Sequence, residues 1–243
     1  MLTSMPSLST QAGTVHVLEK EAAFAELARR INALPGPRPT VALSGGSTPK
    51  AFFAWAVATR ALLPETLARV EWHVSDERCV PLDSADSNFG NAARLLLDPL
   101  GVPAERRFPW PTDLPPREAA AAYERFWRVA GRDHAYDLCV LGLGDDSHVA
   151  SLWPGCPLLA ADGGSRFAAT EWPGRGWRLT LTPSGLSLCR QILALVSGAA
   201  KAPALRAVCR EPAEDLARHP GQVLRRMASA VSWLADAESA AGL

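Results

Sequence analysis

Short β-type runs alternate with helical stretches along most of the chain, and this order restricts the fold more than any other feature of the sequence. "TVHVLE" (14–19) precedes the Ala/Leu-rich amphipathic segment from Glu21 to Leu34, which "PGPRP" terminates. "TVALSGG" (40–46) leads into "STPKAFFAWAVATR" (47–60), a predicted helix capped by Ser47 or Thr48 with Pro49 in its first turn; "RVEWHVSDE" (69–77) is the next predicted strand. That is a strand–helix–strand crossover. Beyond a loop with Pro81, the pattern predicts a helix over 87–100, a Pro-rich connector (103–116), a helix from Arg117 to Ala130, and a strand in "AYDLCVLGLG" (135–144). This last run is nearly all apolar, as a strand covered on both faces is. Strands are expected at 166–172, 177–182 and 191–198 and helices at 199–210 and 221–230, while 231–236 fits either state. The expected fold is α/β with a largely parallel central sheet.

The 243 residues suffice for one domain with a sizeable core, and neither an internal repeat nor a long linker divides them. A single domain over 14–243 is expected, behind a flexible tail at 1–13. The 25 Lys and Arg balance the 25 Asp and Glu, so no net field favours nucleic acid as a partner, and an anionic ligand has to be held by local groups. Five scattered cysteines (Cys79, Cys139, Cys156, Cys189, Cys209) without a C-x-x-C point to reduced thiols in the cytoplasm. No window reaches the roughly 18 uninterrupted apolar residues of a membrane span, and the N-terminus lacks the basic and apolar regions of a signal peptide, so no membrane partner is expected. Oligomeric state is not legible.

In open α/β sheets, ligands bind beyond the carboxyl ends of the strands. Four polar segments here follow predicted strands directly, and they are expected to face one crevice: "SGGSTP", "SDERCVP", "GLGDDSH" and "SGAAK". The first joins Gly45 and Gly46, which permit close approach of backbone to ligand, with Ser47 and Thr48 at a helix N-terminus; it reads as a phosphate site or as an ordinary N-cap. Its spacing does not fit G-x-x-x-x-G-K-[ST], so a nucleotide triphosphate is not indicated. In "HVSDERCVP" (73–81), strand alternation sends Asp76 and Arg78 to one side and Glu77 to the other, either to serve one site or to form a surface ion pair. "GLGDDSH" lacks the third glycine of the dinucleotide fingerprint, and no G-x-S-x-G elbow is present. What remains is His148 on a loop beside carboxylates, a candidate general base or a loop histidine that is merely hydrogen-bonded. Lys201 in "LVSGAAKAPALR" (195–206) is a point charge for phosphate or a surface lysine.

Taken in order and spacing, "LSGGSTP", "SDERCVPLDSADSNFGNA", "LGLGDDSHVASLWPG", "RLTLT" and "SGAAKAPAL" resemble the 6-phosphogluconolactonase family from about Val15 to Ala241. The resemblance implies a Rossmann-like sheet with helices on both faces and hydrolysis of 6-phosphoglucono-δ-lactone to 6-phosphogluconate in the oxidative pentose phosphate route. It implies a phosphorylated sugar lactone as small-molecule partner, with no metal and no organic cofactor. Matched residue by residue, it makes His148 the base that activates water. Asp146, favoured by the D-x-H spacing, is the group that orients this base, and Asp76 is a further catalytic carboxylate. Arg78, Lys201 and the turn of Gly45, Gly46, Ser47 and Thr48 would hold the substrate anion.

Glucosamine-6-phosphate deaminases look similar over the first three segments, but they carry a carboxylate five residues after the histidine, where this chain has Trp153, expected in the core. Deamination is the enzymatic alternative and a non-catalytic sugar-phosphate-binding protein the other. Two positions depart from the family pattern. Ser147 replaces the glycine before the histidine, which implies strain of about 1 kcal/mol or more if φ is positive there. The adjacent Asp145 and Asp146 are expected to raise one of their pKa values by mutual repulsion. The segment after "RLTLT" also reads "PSGLSL" where the family has Leu-Asn.

Overall fold

The computed structural model describes residues 7–160 and 164–243. The chain begins with an antiparallel hairpin, β1 (Ser7–Thr10) and β2 (Gly13–Val17), followed by α1 (Lys20–Asn32). The flexible tail expected at 1–13 is thereby corrected for its second half, its first six residues lying outside the described ones. Thr10 Oγ1 donates to the Gly13 carbonyl and accepts the Ala12 N–H, which closes the turn, and the Trp233 indole N–H donates to the Ala12 carbonyl.

Next come β3 (Thr40–Leu43), α2 (Ser47–Thr59), α3 (Pro64–Arg69), β4 (Glu71–Val74), the short β5 (Asp76–Arg78) and α4 (Asn88–Ala92), which runs on into one π turn over Ala93–Leu97. Then follow α5 (Pro116–Val129), β6 (Leu138–Gly142), β7 (Phe167–Trp172), β8 (Gly176–Leu181), α6 (Pro183–Ser187), β9 (Ile192–Val196), α7 (Ala202–Arg210) and β10 (Val231–Ala235). The helix expected at 221–230 is a series of 3-10 turns, broken where Met227 leaves helical φ/ψ. No helix among the described residues is long and apolar enough to cross a membrane.

Seven strands form one sheet in the order β1-β2-β10-β9-β6-β3-β4, and every pairing except β1 with β2 is parallel. The α/β class expected from the alternating pattern is observed. β3, β4, β6 and β9 are buried almost end to end, which is why β3, β6 and β9 read as near-continuous apolar runs. Residues 231–235, ambiguous in periodicity, become the strand between β2 and β9 because both of its edges find partners there. β4 is the exception, since it buries two polar side chains, Glu71 and His73, and Arg38 and Arg132 both pair with Glu71.

Two expectations fail together. Residues 69–77 are not one strand: the chain leaves the parallel sheet at Ser75, and β5 pairs antiparallel with β8 in a second sheet ordered β5-β8-β7. The strands expected at 166–172 and 177–182 also belong to this small sheet. Only Pro173, Gly174 and Arg175 separate them, too few residues for a parallel crossover, so they close as a hairpin.

The parallel sheet also fixes where a ligand binds. The chain runs outward from β3 to β4, then returns on the other side of β3 with β6, β9 and β10. Strand order therefore reverses between β3 and β6, and the crevice lies beyond their carboxyl ends. An aromatic cluster supports the small sheet from below: Tyr123 and Trp127 of α5 pack with Trp110, Tyr136 and Phe167 around the buried imidazole of His73.

Candidate active site

The carboxyl ends of β9, β6, β3 and β4 lie side by side and open into one cleft of about 280 Å³, with the small sheet as its facing wall. All four polar segments reach it: Gly45 to Thr48 after β3, Asp76 and Arg78 after β4, Gly144 and His148 after β6, and Ser197 and Lys201 after β9.

The turn after β3 differs from expectation in its cap. Gly46, at φ 103°, precedes the helix, while Ser47 and Thr48 already lie in the first turn and make no capping bond. That backbone angle favours glycine. The first-turn N–H groups of α2 consequently have no side-chain partner, and they sit at the positive end of the helix dipole beside the cleft.

Alternation along β5 works as predicted. Asp76 and Arg78 line the cleft, whereas Glu77 turns away and accepts hydrogen bonds from the Asn88 and Phe89 N–H groups and the Ser87 hydroxyl. Burial pushes the Glu77 carboxyl above its usual range against those bonds. Asp76 accepts the Ser151 hydroxyl at 2.7 Å and the Ser75 hydroxyl at 3.2 Å, and it is the only carboxylate among the described residues lining the cleft.

Residues 144–147 form a turn closed by the Ser147 N–H on the Gly144 carbonyl. It places Asp146 Oδ1 2.6 Å from His148 Nδ1. The imidazole holds the Asp146 carboxyl down at about 2, so the carboxylate is ionised, fixes the proton on Nδ1 and leaves Nε2 as an acceptor. The expected upward shift from Asp145 is overturned at Asp146. The hydrogen bond with His148 is the largest influence on it, and the Asp145 carboxylate is paired with Lys201 at 2.5 Å. Gly144 has no room for a side chain, because a Cβ there would lie 1.9 Å from His148 Nδ1. Ser147 adopts φ 67°, so the strain foreseen for a non-glycine residue is present, and its hydroxyl lies 3.2 Å from His219 Nδ1.

The facing wall brings in residues that no motif in the sequence singles out. Trp172, Arg175 and Arg178 all line the cleft, and Arg178 is the direct cross-strand partner of Arg78. Burial, and then the Arg78 charge, lower the Arg178 pKa from its ordinary value. Arg175 sits over the Trp172 ring at 4.7 Å. Trp172 in turn meets His148 edge-on and stacks on Trp153 at 5.2 Å. Trp153 therefore buttresses the cleft from the core. The signal for this wall was "EWPGRGWRL", whose Pro-Gly-x-Gly between two β-runs marks a hairpin. Ser44, Asn88, Ser151 and Ser197 complete the polar lining.

Comparison with known proteins gives a consistent set of likenesses. The family model described as glucosamine-6-phosphate isomerases/6-phosphogluconolactonase matches residues 16–233. The chain is 36% identical over 210 residues to the 6-phosphogluconolactonase of Synechocystis sp., covering 84% of each chain. To that of Nostoc sp. it is 36% identical over 212 residues, covering 85% of each. Among solved structures, the 6-phosphogluconolactonase from Trypanosoma brucei superposes with a TM-score of 0.80 at 28% identity, covering 95% of this chain and 98% of that one.

Proposed function

Because the chain belongs to the glucosamine-6-phosphate isomerase/6-phosphogluconolactonase family, we propose that it hydrolyses 6-phosphoglucono-δ-lactone to 6-phosphogluconate, with His148 as general base. The observation that carries this reading is the Asp146–His148 pair at the edge of a cleft lined by Arg78, Arg175, Arg178 and Lys201. Neutral Nε2 takes a proton from water as the oxygen attacks the lactone carbonyl, and Asp146 stabilises the imidazolium that forms. The tetrahedral intermediate collapses by breaking the bond to the ring oxygen, which receives that proton. A lactone is an activated ester, so a positioned base contributing about 10²–10⁴ in rate suffices without a covalent nucleophile.

Lys201 and the first turn of α2 hold the phosphate, and remote binding of this kind orients the carbonyl. Arg78 and Arg178 supply donors for the negative charge of the substrate and of the intermediate. Asp76 accepts a sugar hydroxyl with the acceptor capacity its two serine bonds leave free. Deamination lacks support, since the position that carries a carboxylate in the deaminases is the buried Trp153. Five free thiols favour a reducing, cytoplasmic setting. The test compares the disappearance of fresh lactone with and without the protein, since the lactone also hydrolyses spontaneously. Acceleration over the blank that His148→Ala removes supports the reading; no acceleration by the wild type ends it.

A further inference from the structure

Lys201 already has an anion. Its Nζ lies 2.5 Å from Asp145 Oδ1, so the ammonium of the β9 loop is bridged to the turn that carries the base. Asp145 and Asp146 are the two central residues of that turn and serve different partners, one the lysine and the other the histidine. The loop behind Lys201 is itself fixed, because Asp236 accepts both the Ser197 hydroxyl and the Gly198 N–H. Any exchange of partners at Lys201 therefore falls on side chains alone.

From this we infer that Asp145 is a built-in competitor at the phosphate-binding lysine, an internal carboxylate that occupies Lys201 until a phosphate group displaces it and so sets the affinity of the site for phosphate. The inference rests on reading Lys201 as a phosphate ligand. An internal anion competes with every external one. A phosphate dianion wins because it brings more charge and several acceptor oxygens, which the first turn of α2 also binds. A weaker monoanion leaves the pair closed. The Asp145 side chain is 70% exposed and that of Lys201 29%, so the pair is weak and its penalty on the substrate is small.

The experiment uses Asp145→Asn and Asp145→Ala beside the wild type, with inorganic phosphate titrated calorimetrically. Both variants are expected to bind phosphate about two- to fivefold more tightly. KM for the phosphorylated lactone should fall by a similar factor, with no gain on unphosphorylated glucono-δ-lactone. Phosphate affinity that is unchanged, weaker or undetectable in wild type and variants alike overturns the inference. So does an equal gain on the unphosphorylated lactone, which would place the effect on the His148 turn. Calorimetry needs no turnover, so a wild type that fails to hydrolyse lactone while its variants bind phosphate more tightly sinks the functional reading and keeps this one.

Discussion

Asp146 Oδ1 stands 2.6 Å from His148 Nδ1, and the same oxygen accepts the His148 backbone N–H, so one carboxylate fixes both the ring and its peptide. Replacing His148 by Ala is expected to lower kcat by about 10²–10⁴ with the fold retained. Asp146→Asn should cost about tenfold or more, because an amide can support the wrong tautomer and does not stabilise the imidazolium. The imidazole, acting against burial, leaves Asp146 ionised down to about pH 2, so it acts as a carboxylate throughout the working range. Steady-state kinetics at neutral pH, corrected for spontaneous hydrolysis, decides it, and full activity in Asp146→Asn rejects Asp146 as the positioning group.

Gly144 tests the same pair by crowding. A Cβ at this position would approach His148 Nδ1 to 1.9 Å and Asp146 Oδ1 to 2.5 Å. Gly144→Ala is therefore expected to displace the imidazole and reduce kcat by about 10²-fold, the usual cost of a misplacement on the order of 1 Å. Steady-state kinetics checks this, with circular dichroism to confirm the fold; a fully active Gly144→Ala protein would show that the turn relaxes freely.

The parallel sheet was legible because its strands are buried on both faces and carry that burial in their composition, as "DLCVL" does at β6. The loops were legible because a ligand site in such a sheet follows strand ends. Arg178 was not. Within "RLTLT" it is one polar residue in an alternating strand, and only the register of β8 against β5 sets it opposite Arg78. The partner of Asp145 was hidden for the same reason, as Lys201 is contributed by a strand end distant in sequence. Ser7–Thr10 escaped notice because an exposed polar edge strand has no apolar rhythm, and it is held by its turn and by the pairing with β2.

Arg78 and Arg178 face each other directly across β5 and β8, a like-charge pairing that destabilises a sheet. Function and stability are thus expected to move oppositely at Arg178. Arg178→Leu should raise KM for the phosphorylated lactone by about tenfold or more, the range for a lost hydrogen bond to a charged group, while slightly increasing the midpoint of urea unfolding. Arg178→Lys should recover only part of the affinity. A fall in both affinity and midpoint for Arg178→Leu would mean that the guanidinium is structural.

Ser147 lies at φ 67°, where a Cβ costs energy and glycine does not. Ser147→Gly removes that cost but forfeits the contact with His219, whereas Ser147→Ala keeps the cost and forfeits the same contact. Urea unfolding should therefore find the Gly variant more stable than the Ala variant by about 1 kcal/mol. At an ordinary backbone position the order is reversed, since glycine loses more conformational freedom on folding. An Ala variant equal to or above Gly would show that the turn carries no strain.

His73 supplies the pH dependence of stability. It is buried on β4, with Nδ1 2.6 Å from the Tyr123 hydroxyl, Nε2 unpartnered among the described residues, and its ring stacked on Phe108. Burial, assisted by the Arg132 charge, holds its pKa well below the ordinary 6.5, with Tyr123 and Tyr136 the other titratable neighbours. Below pH 6.5 the unfolded chain binds a proton at this position that the native state refuses, so stability falls as pH falls. Between pH 7.5 and 5.0 the loss from this one group is about 2 kcal/mol, provided the native ring stays neutral throughout. His73→Phe keeps an aromatic ring against Phe108 and removes the titration, at the cost of the bond to Tyr123. Its unfolding free energy, measured in urea at both pH values, should drop by about 2 kcal/mol less than that of the wild type. Parallel losses in the two proteins would show that His73 takes up a proton equally in the folded and unfolded chains.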